Sequence, residues 1–121
     1  SHAMLARFTQ IDYDRDIALV AIQGAGSDEK MLGVARYFLT RDQQHAEFAV
    51  IVGDPWQGLG IGAALLQRVL DIAKERKIKS IWGTVLAENT QMLKLSRKLG
   101  FEIRKTPDVG EYEVKLTLNG Q

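Results

Sequence analysis

Cysteine is absent from the 121 residues, which excludes disulfides, thiolate nucleophiles and cysteine metal sites. Its absence fits a reducing, cytoplasmic setting. Histidine occurs only at positions 2 and 45, too few for the usual multi-histidine metal site, so no metal is expected. Neither sign of charge dominates. Sixteen basic and fifteen acidic residues leave a formal charge of +1, so no strong field for nucleic acid is expected. No apolar run approaches the ~20 residues of a membrane helix, and no signal-peptide pattern opens the chain, so no membrane partner is expected. Internal repeats and low-complexity stretches are also lacking. What remains is 45% apolar and 26% charged residues, the balance of an ordinary folded domain. At this length one core fits and two do not, so residues 1–121 read as a single domain.

Along the chain, residues 4–11 read as the end of a helix or an entry segment. The apolar, partly β-branched run 17–22 predicts a buried strand, and 24–29 is turn chemistry. Residues 31–39 and 45–52 predict two strands joined by the polar hairpin 40–44. Residues 59–76 have helical period: Ile61, Leu65, Val69 and Ala73 share one face, while Arg68, Asp71, Lys74 and Glu75 fall on the other. Residues 80–86 predict a strand parallel to 45–52. Residues 89–99 predict a second helix, with Asn89 as N-cap, Arg97 and Lys98 in the last turn and Gly100 at C′. Strands at 101–105 and 111–118 complete the order β-β-β-α-β-α-β-β, a mixed α/β sheet with helices.

The segment Val52-Gly53-Asp54-Pro55-Trp56-Gln57-Gly58-Leu59-Gly60-Ile61-Gly62-Ala63 carries most of the chemical information. A strand ends, a turn follows, and three glycines open a long helix. The first N–H groups of a helix have no internal partner, and glycines let a large anion approach them: a phosphate or pyrophosphate cradle. A packing role is the rival, although glycines at alternate positions weaken a helix. No Gly-Lys-Ser/Thr follows, so a Walker loop is excluded. Gly58-x-Gly60-x-x-Ala63, with Glu88 after the next strand, nearly matches a dinucleotide fingerprint. The four residues between strand and glycines, and the hairpin before them, argue against that fold.

Gln57-x-x-Gly60-x-Gly62 resembles the Gln/Arg-x-x-Gly-x-Gly/Ala motif of the GNAT superfamily of acyl-CoA-dependent N-acetyltransferases. Residues 89–101, with Asn89 near the helix start and the closing Gly100-Phe101, resemble that family's second signature. The likeness spans residues 12–118. Ala46-Glu47-Phe48-Ala49 with Trp56-Gln57-Gly58 is more narrowly similar to bacterial protein lysine acetyltransferases, several of which carry an acyl-CoA-synthetase-like region. The resemblance implies a mixed, mainly antiparallel sheet flanked by helices. It implies acetyl-CoA as co-substrate and a lysine-bearing protein as acceptor, with acyl-CoA synthetases as a substrate class. Members usually carry a strand and helix ahead of the strand at 17–22. Those elements are expected to be missing here, the chain being a fragment of a longer protein. Two other functions stay open: acetylation of a small amine, and non-catalytic sensing of acyl-CoA within a larger enzyme.

The resemblance also assigns residues. The backbone of Val50, Ile51 and Val52 pairs with the pantetheine arm, and Gln57, Gly58, Leu59, Gly60, Ile61, Gly62 and Ala63 hold the pyrophosphate. Asn89 is an N-cap that also reaches the pantetheine. Ser96 stands where many members carry a tyrosine acid, on the cofactor side of the helix, with a plain helix-face reading beside it. Tyr37 and Tyr112 are the other acid candidates. Glu47, a lone carboxylate in an apolar strand, matches the family's general base, and partial burial is expected to raise its pKa. Its alternative is an ion pair with Arg36, a diagonal neighbour if Phe38 faces Glu47. His45, Trp56 and Trp82 read as packing or rim residues.

Overall fold

The computed structural model describes residues 6–119. The elements run β1 (Arg7–Asp12), β2 (Asp16–Gln23), β3 (Lys30–Leu39), β4 (His45–Val52), α1 (Ile61–Glu75), β5 (Ser80–Leu86), α2 (Thr90–Lys98), β6 (Glu102–Lys105) and β7 (Glu111–Thr117). The strands form one seven-stranded sheet in the order β1-β2-β3-β4-β5-β7-β6. Only β4 and β5 pair in parallel, joined by the right-length crossover through α1; the other neighbours are antiparallel. The expected class and element order therefore hold, with one strand more at the start.

That extra strand corrects two expectations, that residues 4–11 end a helix and that the strand ahead of residues 17–22 is missing. Met4 and Leu5 lie outside the described residues, and Arg7–Asp12 pairs with β2 as an edge strand. Six residues with no apolar period give little local signal. The ladder with β2 decides their conformation, which is a tertiary effect.

Register sorts the side chains onto two faces. Ile17, Leu19 and Ala21 of β2 pair with Tyr37, Ala35 and Gly33 of β3, which pair with Phe48, Val50 and Val52 of β4. Against this face α1 buries Ile61, Leu65, Leu66, Val69, Leu70 and Ala73. Val85, Val114 and Phe101 join the same core, and Met92, Leu93, Leu95 and Leu99 from α2 and its end pack against it. The Phe48 and Phe101 rings meet edge to face at 5.7 Å. Gly83 is required by this packing, because a Cβ there would lie 2.7 Å from the Phe48 ring.

Both helices thus cover one face of the sheet. On the other face Ile11, Phe38, Ile51 and Leu86 are exposed. Among the described residues no helix is long and apolar enough to cross a membrane, and no cluster of His, Asp and Glu could hold a metal ion.

Candidate functional site

β4 and β5 pair over three positions only, His45↔Ser80, Ala46↔Ile81 and Glu47↔Trp82. Beyond these the two strands run on without pairing, to Val52 and Leu86. A crevice of about 220 Å³ opens between them, lined by Phe48, Ala49, Val50, Thr84, Val85, Leu86, Asn89 and Met92. It continues into a larger cleft of about 780 Å³, within the usual size range of a small-molecule site. That cleft is lined by Val50, Ile51, Val52, Trp56, Gln57, Gly58, Gly60, Gly62, Ala63 and Asn89, together with Leu86, Glu88, Thr90, Gln91, Met92 and Leu95.

The loop between β4 and α1 shapes one wall. After Val52 a short 3-10 turn, Asp54–Trp56, folds the Trp56 ring onto Gly53, and the Trp56 N–H donates to the Gly53 carbonyl at 2.9 Å. Gln57 braces the loop: its Nε2 donates to the Val52 carbonyl at 3.1 Å and to Asp54 Oδ1 at 3.2 Å. Gly60, at φ +85°, then turns the chain into α1 from the left-handed region that glycine tolerates. The first intrahelical bond runs from the Ala64 N–H to the Gly60 carbonyl at 3.0 Å. The N–H groups of Ile61, Gly62 and Ala63 precede it, and no side chain caps them. They form the positive end of a 15-residue helix, open to an anion.

The second helix meets the same cleft differently. Asn89 caps α2, its Oδ1 accepting from the Met92 N–H at 3.1 Å. The chain ends α2 with Gly100 at φ +94°, as a C′ glycine should. Gln91 approaches Gly58 across the cleft. Glu88 is the one charged side chain among the described lining residues. The groups this lining offers an anion are therefore backbone N–H groups, not lysine or arginine.

The sequence-derived residues divide as follows. Val50, Ile51, Val52, Gln57, Gly58, Gly60, Gly62, Ala63 and Asn89 come together in the cleft. Leu59 and Ile61 turn their side chains to the core, and Ile61 contributes only its backbone N–H. Ser96 is fully buried away from the cleft lining, its Oγ without a hydrogen-bond partner. Tyr37 is buried in the core with its hydroxyl 3.4 Å from Arg76, and Tyr112 lines neither cavity.

Glu47 faces the helix-free side at the point where β4 and β5 part. It is exposed, which corrects the expected partial burial. Alternation explains this: its neighbours Ala46 and Phe48 take the core face, and no element covers the opposite one. Phe38 does face Glu47, which meets the condition for Arg36 as a diagonal neighbour. Arg36 does not pair with it; its guanidinium bonds Asp16 at 2.9 Å and lies over the Phe38 ring at 4.9 Å and the Tyr13 ring at 5.8 Å. Sequence reasoning gave no site role to Leu86, Thr90, Gln91, Met92 or Leu95. The Asn89 cap marks where α2 starts, but only the packed fold shows that this start faces the start of α1.

The sequence and the fold are similar to those of known proteins. The family described as acetyltransferase (GNAT) matches residues 1–101. An acetyltransferase of Pseudomonas aeruginosa is 31% identical over 108 residues, 89% of this chain and 58% of that one. An L-methionine sulfoximine/L-methionine sulfone acetyltransferase of Pseudomonas paraeruginosa is 33% identical over 98 residues, 77% of this chain and 55% of that one. The chain thus spans somewhat more than half the length of these curated relatives. Among solved structures, the GNAT domain of S. lividans PAT matches with a TM-score of 0.72 and 27% identity, over 93% of this chain and 66% of that one. A Klebsiella pneumoniae protein assigned as an acyl-CoA N-acyltransferase shares the fold with a TM-score of 0.78 and 16% identity, over 96% of this chain and 99% of that one. A Salmonella typhimurium protein assigned as an acetyltransferase, solved with acetyl-CoA, has a TM-score of 0.73 and 23% identity over 88% of this chain and 66% of that one. With the family match over most of its length and an uncapped, glycine-rich helix start facing the parted strands, the chain belongs to the acetyltransferase (GNAT) family.

Proposed function

We propose that this chain transfers the acetyl group of acetyl-CoA to an amine, a lysine side chain of a protein, in the cytoplasm. The observation that carries the reading is the open first turn of α1, set beside the cleft where β4 and β5 part; Glu47, which lines neither cavity, is exposed on the opposite face at the last pair before they part. Acetyl-CoA supplies an acetyl thioester. The N–H groups of Ile61, Gly62 and Ala63 hold its pyrophosphate, and the glycines leave room for close approach. The unpaired edge of residues 50–52 receives the pantetheine arm as an added strand would be received. A backbone N–H there stabilises the thioester oxygen as charge develops.

Glu47 takes a proton from the acceptor ammonium, directly or through a water, and passes it to solvent. The free amine attacks the carbonyl carbon; the C–N bond forms and the C–S bond breaks. Of the two protons left on nitrogen one leaves through solvent and one stays on the amide, and solvent also protonates the departing thiolate. Ser96, buried away from the cleft lining, has no place in this scheme as an acid. The narrower likeness of residues 46–49 and 56–58 to protein lysine acetyltransferases supports a protein acceptor, with acyl-CoA synthetases as the class to try first. A small amine is the second reading, favoured by the 33% identity to a relative named for L-methionine sulfoximine and sulfone.

Calorimetry with acetyl-CoA, NAD and ATP tests the ligand class, with acetyl transfer to lysine peptides and to free amines following. Binding of NAD in preference to acetyl-CoA would remove the reading. Tight acetyl-CoA binding without turnover on any amine would make the chain a sensing module.

A further inference from the structure

On the helix-free face Glu47 has an aromatic residue on each side. Phe38 of β3 stands opposite it in the antiparallel register, and Trp82 of β5 in the parallel register. Strands lie about 4.8 Å apart, so the two aromatic residues are rooted about 10 Å apart with the carboxylate between them. Phe38 is 42% exposed and Trp82 half-buried, and no helix covers either. The Phe38 ring is held in place by Arg36, whose guanidinium lies 4.9 Å from its centroid and is anchored on Asp16 at 2.9 Å. The pair Glu47↔Trp82 is also the last before β4 and β5 part, so the trio stands at the apex of the slit.

A carboxylate between two aromatic rings suits one kind of ligand. The ring faces attract a cation and cover methylene groups, while the carboxylate supplies the counter-charge. We propose that Phe38, Glu47 and Trp82 together form the acceptor seat, and that it takes a primary ammonium on an unbranched alkyl stem, as on a lysine side chain. An α-amine, with a substituted carbon next to the nitrogen, offers the rings no unbranched stem to cover. This inference rests on the acetyltransferase reading above and adds the residues that would select a lysine side chain over the small amine of the second reading.

The test measures acetyl-CoA affinity by calorimetry and steady-state kinetics on a peptide with an internal lysine, using the full chain. Phe38→Leu and Trp82→Leu keep an apolar side chain but remove the ring, and Trp82→Phe restores a ring. The expected result is a rise in acceptor KM of about tenfold in each leucine variant, the scale of a cation–π contact. Trp82→Phe stays within about threefold of the unaltered chain, and acetyl-CoA affinity is unchanged throughout, which also shows that the variants are folded. A blocked-lysine peptide with a free α-amine, and methionine sulfone, are poorer acceptors than the lysine peptide. Unchanged acceptor KM in the leucine variants overturns the seat while leaving the acetyltransferase reading intact. So does a leucine variant that performs as well as Trp82→Phe, or a preference for α-amines. Absence of acetyl-CoA binding to the unaltered chain overturns the reading and the seat together.

Discussion

On the helix side of the parted strands the cleft is walled by glycines, two helix starts and a single carboxylate, Glu88. On the other side the exposed groups are side chains, with Glu47 between Phe38 and Trp82. The two helix starts repeat the contrast in miniature. Asn89 occupies the first turn of α2, whereas α1 begins at Gly60 with its N–H groups open. The difference teaches a division of labour: backbone groups, fixed by the fold, suit the constant ligand, and side chains, which can be exchanged without moving the backbone, suit the variable one. On the proposed reading, damage to the helix side impairs acetyl-CoA binding, and damage to the helix-free side impairs turnover.

Glu47→Gln is the sharpest way to break that division. It keeps shape and removes the base, so kcat is expected to fall about 10²-fold or more with acetyl-CoA affinity unchanged. The deficit narrows as pH rises and more acceptor amine is already neutral. Full turnover at neutral pH would leave the helix-free side without a base.

Gly60→Val strikes the helix side. Valine is strained at φ +85°, by roughly 1–2 kcal/mol, and its side chain stands where the pyrophosphate must approach. Affinity for acetyl-CoA should fall tenfold or more in calorimetry, and a folded variant with unchanged affinity would move the cradle elsewhere. Gly62→Ala separates stability from binding. A Cβ there is 3.5 Å from Val52 Cγ2, an ordinary contact across the cleft. Alanine within α1 should raise stability by about 0.5–1 kcal/mol while weakening acetyl-CoA binding a few-fold. If both improve, the glycine serves packing alone.

Asp42 gives the smallest effect and the control. Its carboxylate accepts from Thr40 Oγ1 at 2.6 Å and from the Gln44 N–H at 3.0 Å, at the turn between β3 and β4. These bonds, the Thr40 one foremost, hold its pKa below the ordinary 3.8. A lowered folded pKa adds stability above the ordinary value and loses it as pH falls through the folded one. Asp42→Ala should therefore lower Tm slightly at pH 7, with the gap closing below pH 3.8, and should alter neither acetyl-CoA affinity nor acceptor KM. A change in either would tie the far end of the sheet to the site.

Much of the cleft could be read from the chain because its signals are local. Gly60 marks a helix start, Asn89 a cap and Gly100 a helix end, each through the chemistry of one residue, and the structure gives Gly60 and Gly100 positive φ. The strand–helix–strand unit followed from hydrophobic period and from the length of the crossover. Residues whose state depends on a distant neighbour were misread or passed over. Arg36 is near Glu47 by register, yet it leans to Asp16 on the opposite strand. Arg7–Asp12 takes its form from β2. Ser96 shares a helix with the cleft-lining Leu95, but one residue turns a helix by about 100° and carries it into the core.

What the sequence determined by itself, then, is every element but the first strand, and the glycine-rich start of α1, because period and caps depend on residues a few positions apart. The tertiary structure decided that β4 and β5 pair at only three positions, that the starts of α1 and α2 share one cleft, and that both helices cover one face while Glu47 is exposed on the other. These depend on ladder register and on where α1 and α2 pack, and contacts between residues far apart in the chain are chosen by the burial of the whole core.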